Sequence, residues 1–450
     1  MTTERSKRFD FSGLRLPPDW RLLPLCDVVS ARSGNSKLIK GKQYTEPGAG
    51  RFPGFSASGQ DVYCHGFEHD GGAVIISAVG ARCGKCFLAN GRWSAVANTH
   101  ILFPQADKIE HKFLWYLVNN EEFWIKSGTA QPFVKVGKTL DLPIPVPPLD
   151  QQKYIVAEIE KQFSRLDEAV ANLKRVKANI KRYKAAVLKA AVEGRLVETE
   201  AELARREGRS YETGGQLLQR ILATRRSRWK GKGKYKEPAA PDTTDLPVLP
   251  EGWVWANVDQ LAEVGTGATP RRGQSRYYGG DIAWVTSAVV NNDFVDQVTE
   301  YVTKEALDET NLTLYPPGTL LIAMYGEGKT RGKCSELRIS ATTNQALAAL
   351  QADASAKVYL KLFLDFNYEE TRKVASGGVQ PNLNLSLVRA IRVPFPPLAE
   401  QNRIVAEVGS RLSLLRETEA QVDANSRRVA RLRHSILAQA FCGEIVHACV

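Results

Sequence analysis

Two stretches of this chain are one segment written twice, 249 residues apart. Pro145-Val146-Pro147-Pro148-Leu149-Asp150-Gln151-Gln152 returns as Pro394-Phe395-Pro396-Pro397-Leu398-Ala399-Glu400-Gln401, and Ile155-Val156-Ala157-Glu158 returns as Ile404-Val405-Ala406-Glu407. Residues 144–197 align with 393–446 without a gap, with 18 identities in 54. The same shift brings Ser127-Gly128-Thr129-Ala130-Gln131-Pro132 onto Ser376-Gly377-Gly378-Val379-Gln380-Pro381. The front of each half repeats too: Leu16-Pro17-Pro18-Asp19-Trp20 matches Leu249-Pro250-Glu251-Gly252-Trp253 at an offset of 233. A repeat of this length is a duplicated domain rather than a short solenoid unit. Because the offset grows from 233 to 249, the second half carries a net 16 extra residues. Ends that match around middles that differ suit two modules with a common frame and different ligands.

The repeated tails carry a heptad. Ile159, Leu166, Leu173, Ile180 and Val187 fall every seven residues in one copy, and Val408, Leu415, Val422, Val429 and Ile436 in the other. Sustained heptads with polar positions between them predict long coiled-coil helices. A second column starts with Phe163 and Val170 but decays to Lys177 and Lys184, and in the other copy to Glu419, Ser426 and Arg433. The seam that remains is narrow and suits a single partner helix. Each helix is expected to start after a Pro-Pro pair, with Asp150 as N-cap of the first, and to stop at Gly194 and Gly443. Antiparallel pairing of the two copies within the chain satisfies both seams without a second molecule. The same seam used between chains would make a dimer.

The rest divides by texture. Residues 1–15 are polar, charged and aperiodic, the signature of a disordered N-terminus. Residues 16–143 and 249–392 contain short apolar runs broken by glycine, such as Ala73–Val79, Thr99–Phe103 and Thr319–Met324, which predict strands of two mixed α/β globular domains. One short helix is expected between Lys112 and Lys126. The fold class is therefore α+β: globular domains at 16–143 and 249–392, coiled-coil helices within 144–197 and 393–450, and a charged helix and basic linker over 198–248. With 450 residues, 43% of them apolar and 24% charged, the chain can bury the cores this requires.

Charge and cysteines narrow the setting. Met1 to Asp10 are charged rather than apolar, no run of 18 apolar residues is present, and seven unevenly spaced cysteines fit a reducing compartment, so a cytoplasmic location without a membrane span is expected. A net charge of +12 and a pI near 9.3 favour a polyanionic partner. Part of that excess is local: Arg220, Arg225, Arg226, Arg228, Lys230, Lys232, Lys234 and Lys236 follow one another with no acid between them. A solvated linker and a phosphate contact are both open for this run.

Together these features resemble the specificity subunit of type I restriction–modification enzymes. The resemblance rests on "LPxxW" at the head of each half, "SGxxQP" late in each globular domain, and "PxPPLxxQ…IVAE" at the start of each helix. Gly267-Ala268-Thr269-Pro270, Tyr277-Tyr278-Gly279-Gly280-Asp281-Ile282-Ala283-Trp284-Val285 and Thr343-Asn344-Gln345 in the second half, and Phe55-Ser56-Ala57-Ser58-Gly59 in the first, also look like that family's target-recognition domains. It covers residues 16 to 446. It implies a non-catalytic reader of bipartite double-stranded DNA, with one half-site per recognition domain and a coiled coil that sets the gap. It also implies docking of two methyltransferase subunits, joined by translocase-nuclease subunits in the full complex, and no cofactor. Two readings of other classes stay open: a duplicated protein-binding scaffold without sequence-specific DNA recognition, and a fused methyltransferase–reader.

The second alternative lacks its chemistry. No Asn/Asp-Pro-Pro-Tyr/Phe tetrapeptide is present, and Tyr315-Pro316-Pro317-Gly318 has a different order. Gly326-Glu327-Gly328-Lys329-Thr330 ends like a phosphate loop, but Ala323 stands where the first glycine is needed. One CxxC pair, Cys83 and Cys86 with Cys64, His65 and His69 nearby, falls short of a zinc signature, and Gly332-Lys333-Cys334 repeats half of it as framework. No metal or catalytic residue is assigned. For DNA contact the candidates are Lys37, Lys40, Lys42, Arg82 and Lys85 in the first domain. In the second they are Arg271, Arg272, Arg276, Tyr277, Lys329, Arg331 and Lys333. Arg can reach guanine bidentately and Lys mainly grips phosphate, whereas a hydrated loop charge is the competing reading for each. Gln131 and Gln380 share a repeated position and are assigned to a structural turn.

Overall fold

In a computed structural model, residues 11, 16–230, 233–325, 330–368, 371 and 383–447 are described. Lys329, Gln380 and nearly all of the expected disordered N-terminus lie outside them. The chain forms two compact units, Met1–Val176 with Val422–Val450, and Lys177–Gln421. Each long helix is therefore divided between the units.

Those helices are Leu149–Val192 and Leu398–Phe441, of 44 residues each. Every predicted seam position is buried or half-buried along them, with Ile159, Ile180, Val187, Val408, Val422, Val429 and Ile436 at 9% exposure or less. In the first unit Ile159 and Ile436 belong to one core, and Arg433 pairs with Asp167 and lies 5.1 Å from the Phe163 ring. In the second unit Val187 and Val408 share a core and Arg411 donates to the Tyr183 hydroxyl at 3.4 Å. Within each unit the rising numbers of one helix meet the falling numbers of the other, so the pairing is antiparallel and intrachain. Gly194 and Gly443 end the helical stretches at φ +69° and +83°, a conformation only glycine adopts freely. Asp150 lies within the first turn rather than at the N-cap, because the helix already begins at Leu149. Its carboxylate there still favours the positive helix end.

The repeated motifs prove to be the joints of this frame. Arg21–Pro24 pairs antiparallel with Pro143–Val146, and Val254–Asn257 pairs with Arg392–Phe395 in the corresponding register. Gln152 and Gln401 each donate from Nε2 to the carbonyl of Pro147 or Pro396 at 2.8 Å, capping a proline segment that cannot continue a ladder. Each "LPxxW" tryptophan holds the start of the helix that follows its own domain: Trp20 Nε1 donates to Gln151 Oε1, and Trp253 Nε1 to Glu400 Oε1, both at 2.9 Å. Each also receives the end of the other helix. A Cβ built at Gly194 would stand 2.5 Å from Pro250 Cγ, and one built at Gly443 would collide with Pro17.

The one difference at this joint, Gln151 against Glu400, follows from hydrogen-bond supply. Gln151 meets one donor, Trp20, and one acceptor, Asp19, which an amide serves at both ends. Glu400 meets two donors, Trp253 Nε1 on one oxygen and the Glu200 backbone N–H on the other, both at 2.9 Å, where an amide would turn its NH2 group against one of them. Burial pushes the Glu400 carboxyl above its usual range, against the pull of those donors.

The globular parts repeat as well. In the first unit one sheet orders its strands as Val29–Ser33, Thr99–Pro104, Ala73–Ser77 and Cys86–Ala89, and a second sheet contains Gly59–His65, Arg51–Ser56, Arg92–Ala95 and His69–Asp70. In the second unit Ala262–Thr266, Leu347–Ala352, Leu320–Ala323 and Cys334–Leu337 follow the order of the first sheet, with Phe294–Val295 added at the edge. The partner sheet there is Tyr301–Val302, Tyr278–Val285 and Ala341–Thr343. Ala73–Ser77 is buried on both faces, which is why it reads as a continuous apolar run rather than an alternation. The expected helix after Lys112 is short, His111–Val118, and the charged stretch of the linker forms two helices, Glu200–Glu207 and Gly214–Ser227. In each unit the first sheet, its helix and the helix pair share a single hydrophobic core.

Candidate nucleic-acid interface

In the first unit two of the candidate cations, Lys40 and Lys85, lie near one turn. Lys40, in the single helical turn Lys40–Lys42, pairs with Asp61 and donates to Ser58 Oγ at 3.1 Å. Ser58 precedes Gly59, whose added Cβ would lie 3.1 Å from the Phe87 ring, and the Lys85 ammonium stands 5.9 Å from the centre of that ring. Lys40 and Lys85 thus flank the Phe55–Gly59 motif from two different loops. Lys37, Lys42 and Arg82 are exposed, and an Asn35 side chain fixes the Lys37 backbone. The "SGxxQP" segment forms a tight turn in which Gly128 has φ +87° and Pro132 accepts from the Gly80 N–H, next to the turn that carries Arg82.

In the second unit three motifs close on one another. Tyr278 donates to the Pro270 carbonyl at 2.6 Å, Trp284 Nε1 to the Ala268 carbonyl at 3.2 Å, and Thr269 to Gln345 at 2.5 Å. Any side chain at Gly267 would overlap the Thr343 carbonyl. The motifs build a frame, and what the frame displays is the turn after Pro270, with Arg271 and Arg272 exposed. Arg276 and Tyr277 are placed differently. Arg276 donates twice to Glu309, at 3.1 and 2.7 Å, and the Tyr277 hydroxyl donates to the same carboxylate at 2.9 Å while its ring is buried with Trp284 and Val302. Both are engaged in packing and pairing. Lys333 donates to Asn291 at 3.0 Å, and Arg331 is half-buried.

The turn that presents Lys333 is the counterpart of the one that presents Lys85. Gly84 and Gly332 donate to the Ser77 and Ala323 carbonyls at 2.9 and 2.8 Å, and Lys85 and Lys333 donate to residues three positions earlier. Cys86 and Cys334 are buried, and burial raises both thiols far above their usual range, so they act as packed, protonated groups. Among the described residues no group of three or more His, Cys, Asp or Glu side chains could hold a metal ion, and no helix is long and apolar enough to cross a membrane.

Sequence reasoning missed a second kind of cation, the guanidinium held against an exposed ring. Arg51 lies 3.6 Å from the centre of the Tyr44 ring, Arg92 lies 4.9 Å from that of Phe67, and Arg338 lies 3.8 Å from that of Phe294. Stacking restricts an arginine, and Arg51 and Arg92 are held further by the Glu46 carbonyl at 3.3 Å and the Asp70 carboxylate at 3.6 Å. Phe67 and Phe294 lie far in sequence from the arginines they hold, and even Tyr44, seven residues before Arg51, meets it across an irregular stretch that no helix or strand pattern marks.

Each unit is a framed, loop-bearing module, and both halves match the sequence model of the type I restriction modification DNA specificity domain, over residues 17–182 and 250–412. The chain belongs to that family. Among relatives, it is 22% identical over 443 residues to the EcoDI specificity subunit of Escherichia coli, covering 96% of this chain and 90% of the relative. It is 20% identical over 467 residues to the MjaVIII specificity subunit of Methanocaldococcus jannaschii, covering 94% of each. A solved chain from a type I restriction–modification assembly superposes with a TM-score of 0.63 at 18% identity, covering 95% of this chain and 98% of that one. The HsdS subunit of Thermoanaerobacter tengcongensis superposes with a TM-score of 0.51 at 20% identity, covering 96% and 99%. At these identities the structural likeness speaks for the fold.

Proposed function

We propose that this chain is the DNA sequence-specificity subunit of a cytoplasmic type I restriction–modification complex. The globular parts over 16–143 and 249–392 act as target-recognition domains, each reading one half of a bipartite site. The observation that carries this reading is that each unit keeps the same joints to its own antiparallel helix segments while the loops differ. Unlike readers demand an asymmetric, split target, whereas identical readers would demand a palindrome. A 44-residue helix is about 66 Å long at about 1.5 Å per residue. That is about two turns of B-DNA at about 34–36 Å per turn, a length suited to a fixed unread gap. The chain itself is non-catalytic in this reading. Two methyltransferase subunits dock on it, translocase-nuclease subunits join in the restricting complex, and the chemistry lies in those chains.

Selection of random duplex DNA by the purified complex tests this. The enriched pool should contain two short half-sites around a constant gap. Replacing Arg271 and Arg272 by alanine should relax one half-site, at about 1–3 kcal/mol per lost base contact, and replacing Lys40 and Lys85 should weaken the other module alone. Binding without sequence enrichment and without salt sensitivity would instead favour the protein-binding scaffold.

A further inference from the structure

The basic run of the linker has a structure of its own. Its first members are used internally: Arg220 donates twice to Glu212, at 2.8 and 3.0 Å, and Arg225 donates to the Asp259 and Ala262 carbonyls. Arg226 pairs with Glu237. That last pair ties the end of helix Gly214–Ser227 to the returning chain. Within this clip the Trp229 and Tyr235 rings meet at 5.7 Å and 63°, and Gly233 turns at φ +98°. The helix that bears the clip is anchored through Leu217, Leu218, Ile221 and Leu222 in the core of its unit. Past the clip the chain stays pinned, because Asn257 donates to the Ala239 carbonyl at 2.9 Å and Trp255 to the Pro247 carbonyl at 3.2 Å.

Arg228, Lys230, Lys234 and Lys236 lie between the clip residues, all four exposed, and among the described residues none of them has a carboxylate partner. The contrast within a single run is informative. Arg220, Arg225 and Arg226 are engaged at home, whereas these four carry their charge unspent. An array of cations with no acid among them matches a backbone of like charges rather than a protein face, which mixes signs.

We propose that Arg228, Lys230, Lys234 and Lys236, set between the paired Arg226 and Glu237, form a sequence-independent DNA phosphate grip, separate from the recognition modules. This rests on the reading of the chain as a DNA specificity subunit. Its four cations add affinity for any duplex and leave base preference to the recognition domains, since phosphate contacts position a protein on DNA without carrying sequence information.

The test uses the full chain with the subunits that copurify with it. Its probes are a duplex carrying the selected bipartite sequence and a scrambled duplex of equal length, titrated by fluorescence anisotropy between about 0.05 and 0.3 M salt. With Arg228, Lys230, Lys234 and Lys236 all replaced by glutamine, affinity for both duplexes should fall by the same factor, about 10- to 100-fold. The slope of log affinity on log salt should shrink by about two to four, at about 0.9 per phosphate contact. A variant with the three lysines replaced by arginine should keep the original slope. If the glutamine variant keeps both slope and affinity, or loses affinity for the motif alone, the grip is refuted while the specificity reading stands. If the unaltered complex does not distinguish the two duplexes, it is the specificity reading that fails.

Discussion

Ile159→Ala should destabilise the first unit by about 2–5 kcal/mol. Ile159 has no solvent exposure and sits where the predicted seam, the globular core and the second helix meet, beside Ile155, Phe113 and Ile436. Removing its side chain loses apolar contact and leaves a cavity that three different elements would have to close together. Lys161→Ala, two residues away and exposed, should stay within about 0.5 kcal/mol. Chemical denaturation with hydrogen exchange on residues 430–441 reads both effects. Because the seam is filled from within the chain, the loss should not depend on protein concentration. A concentration-dependent loss would mean that a second molecule supplies the partner helix.

Arg403→Ala should destabilise the second unit by about 3 kcal/mol at neutral pH. Glu200 is buried at 2% exposure and its carboxylate is held by Arg403 and Arg209, each at 2.6 Å. Burial opposes the charged form of Glu200, but the hydrogen bonds and charges of the two arginines outweigh it and hold the carboxyl below its usual range. A carboxyl lowered by folding contributes stability above its unfolded pKa and loses it as pH falls through the folded one. The penalty of the variant should therefore be full at neutral pH and shrink as the solution is acidified below the ordinary carboxylate range, about 4.3. Thermal melts across that interval check the sign. A penalty that is constant with pH would show that Arg403 acts by packing alone.

The frame was legible in the sequence because its determinants are local and periodic. Heptads, proline pairs and terminal glycines act on neighbouring backbone, and two copies made each signal visible twice. Even the glutamine–glutamate difference at positions 151 and 400 becomes intelligible once the donors around it are known. The interface was legible only in outline. Arg276 and Tyr277 are neighbours in a basic motif, yet packing buries the Tyr277 ring while Arg276 stays exposed, and Glu309, about thirty residues onward, engages both. The stacked pairs Arg51 with Tyr44, Arg92 with Phe67 and Arg338 with Phe294 are likewise products of sheet pairing and leave no trace in spacing. The basic run shows the same limit from the other side: composition could not separate the arginines that pair from the four cations set between Arg226 and Glu237.

The central claim, that two unlike modules direct modification to one split sequence, is tested most directly by mapping adenine methylation across the source genome. Three strains serve: one with the gene intact, one with it deleted, and one carrying the Arg271→Ala, Arg272→Ala variant. The account predicts that deletion removes a single motif of two short half-sites around a fixed gap, and that the variant blurs only one of those half-sites. An unchanged set of methylated motifs in all three strains, in a cell that expresses the methyltransferase partner, would contradict it.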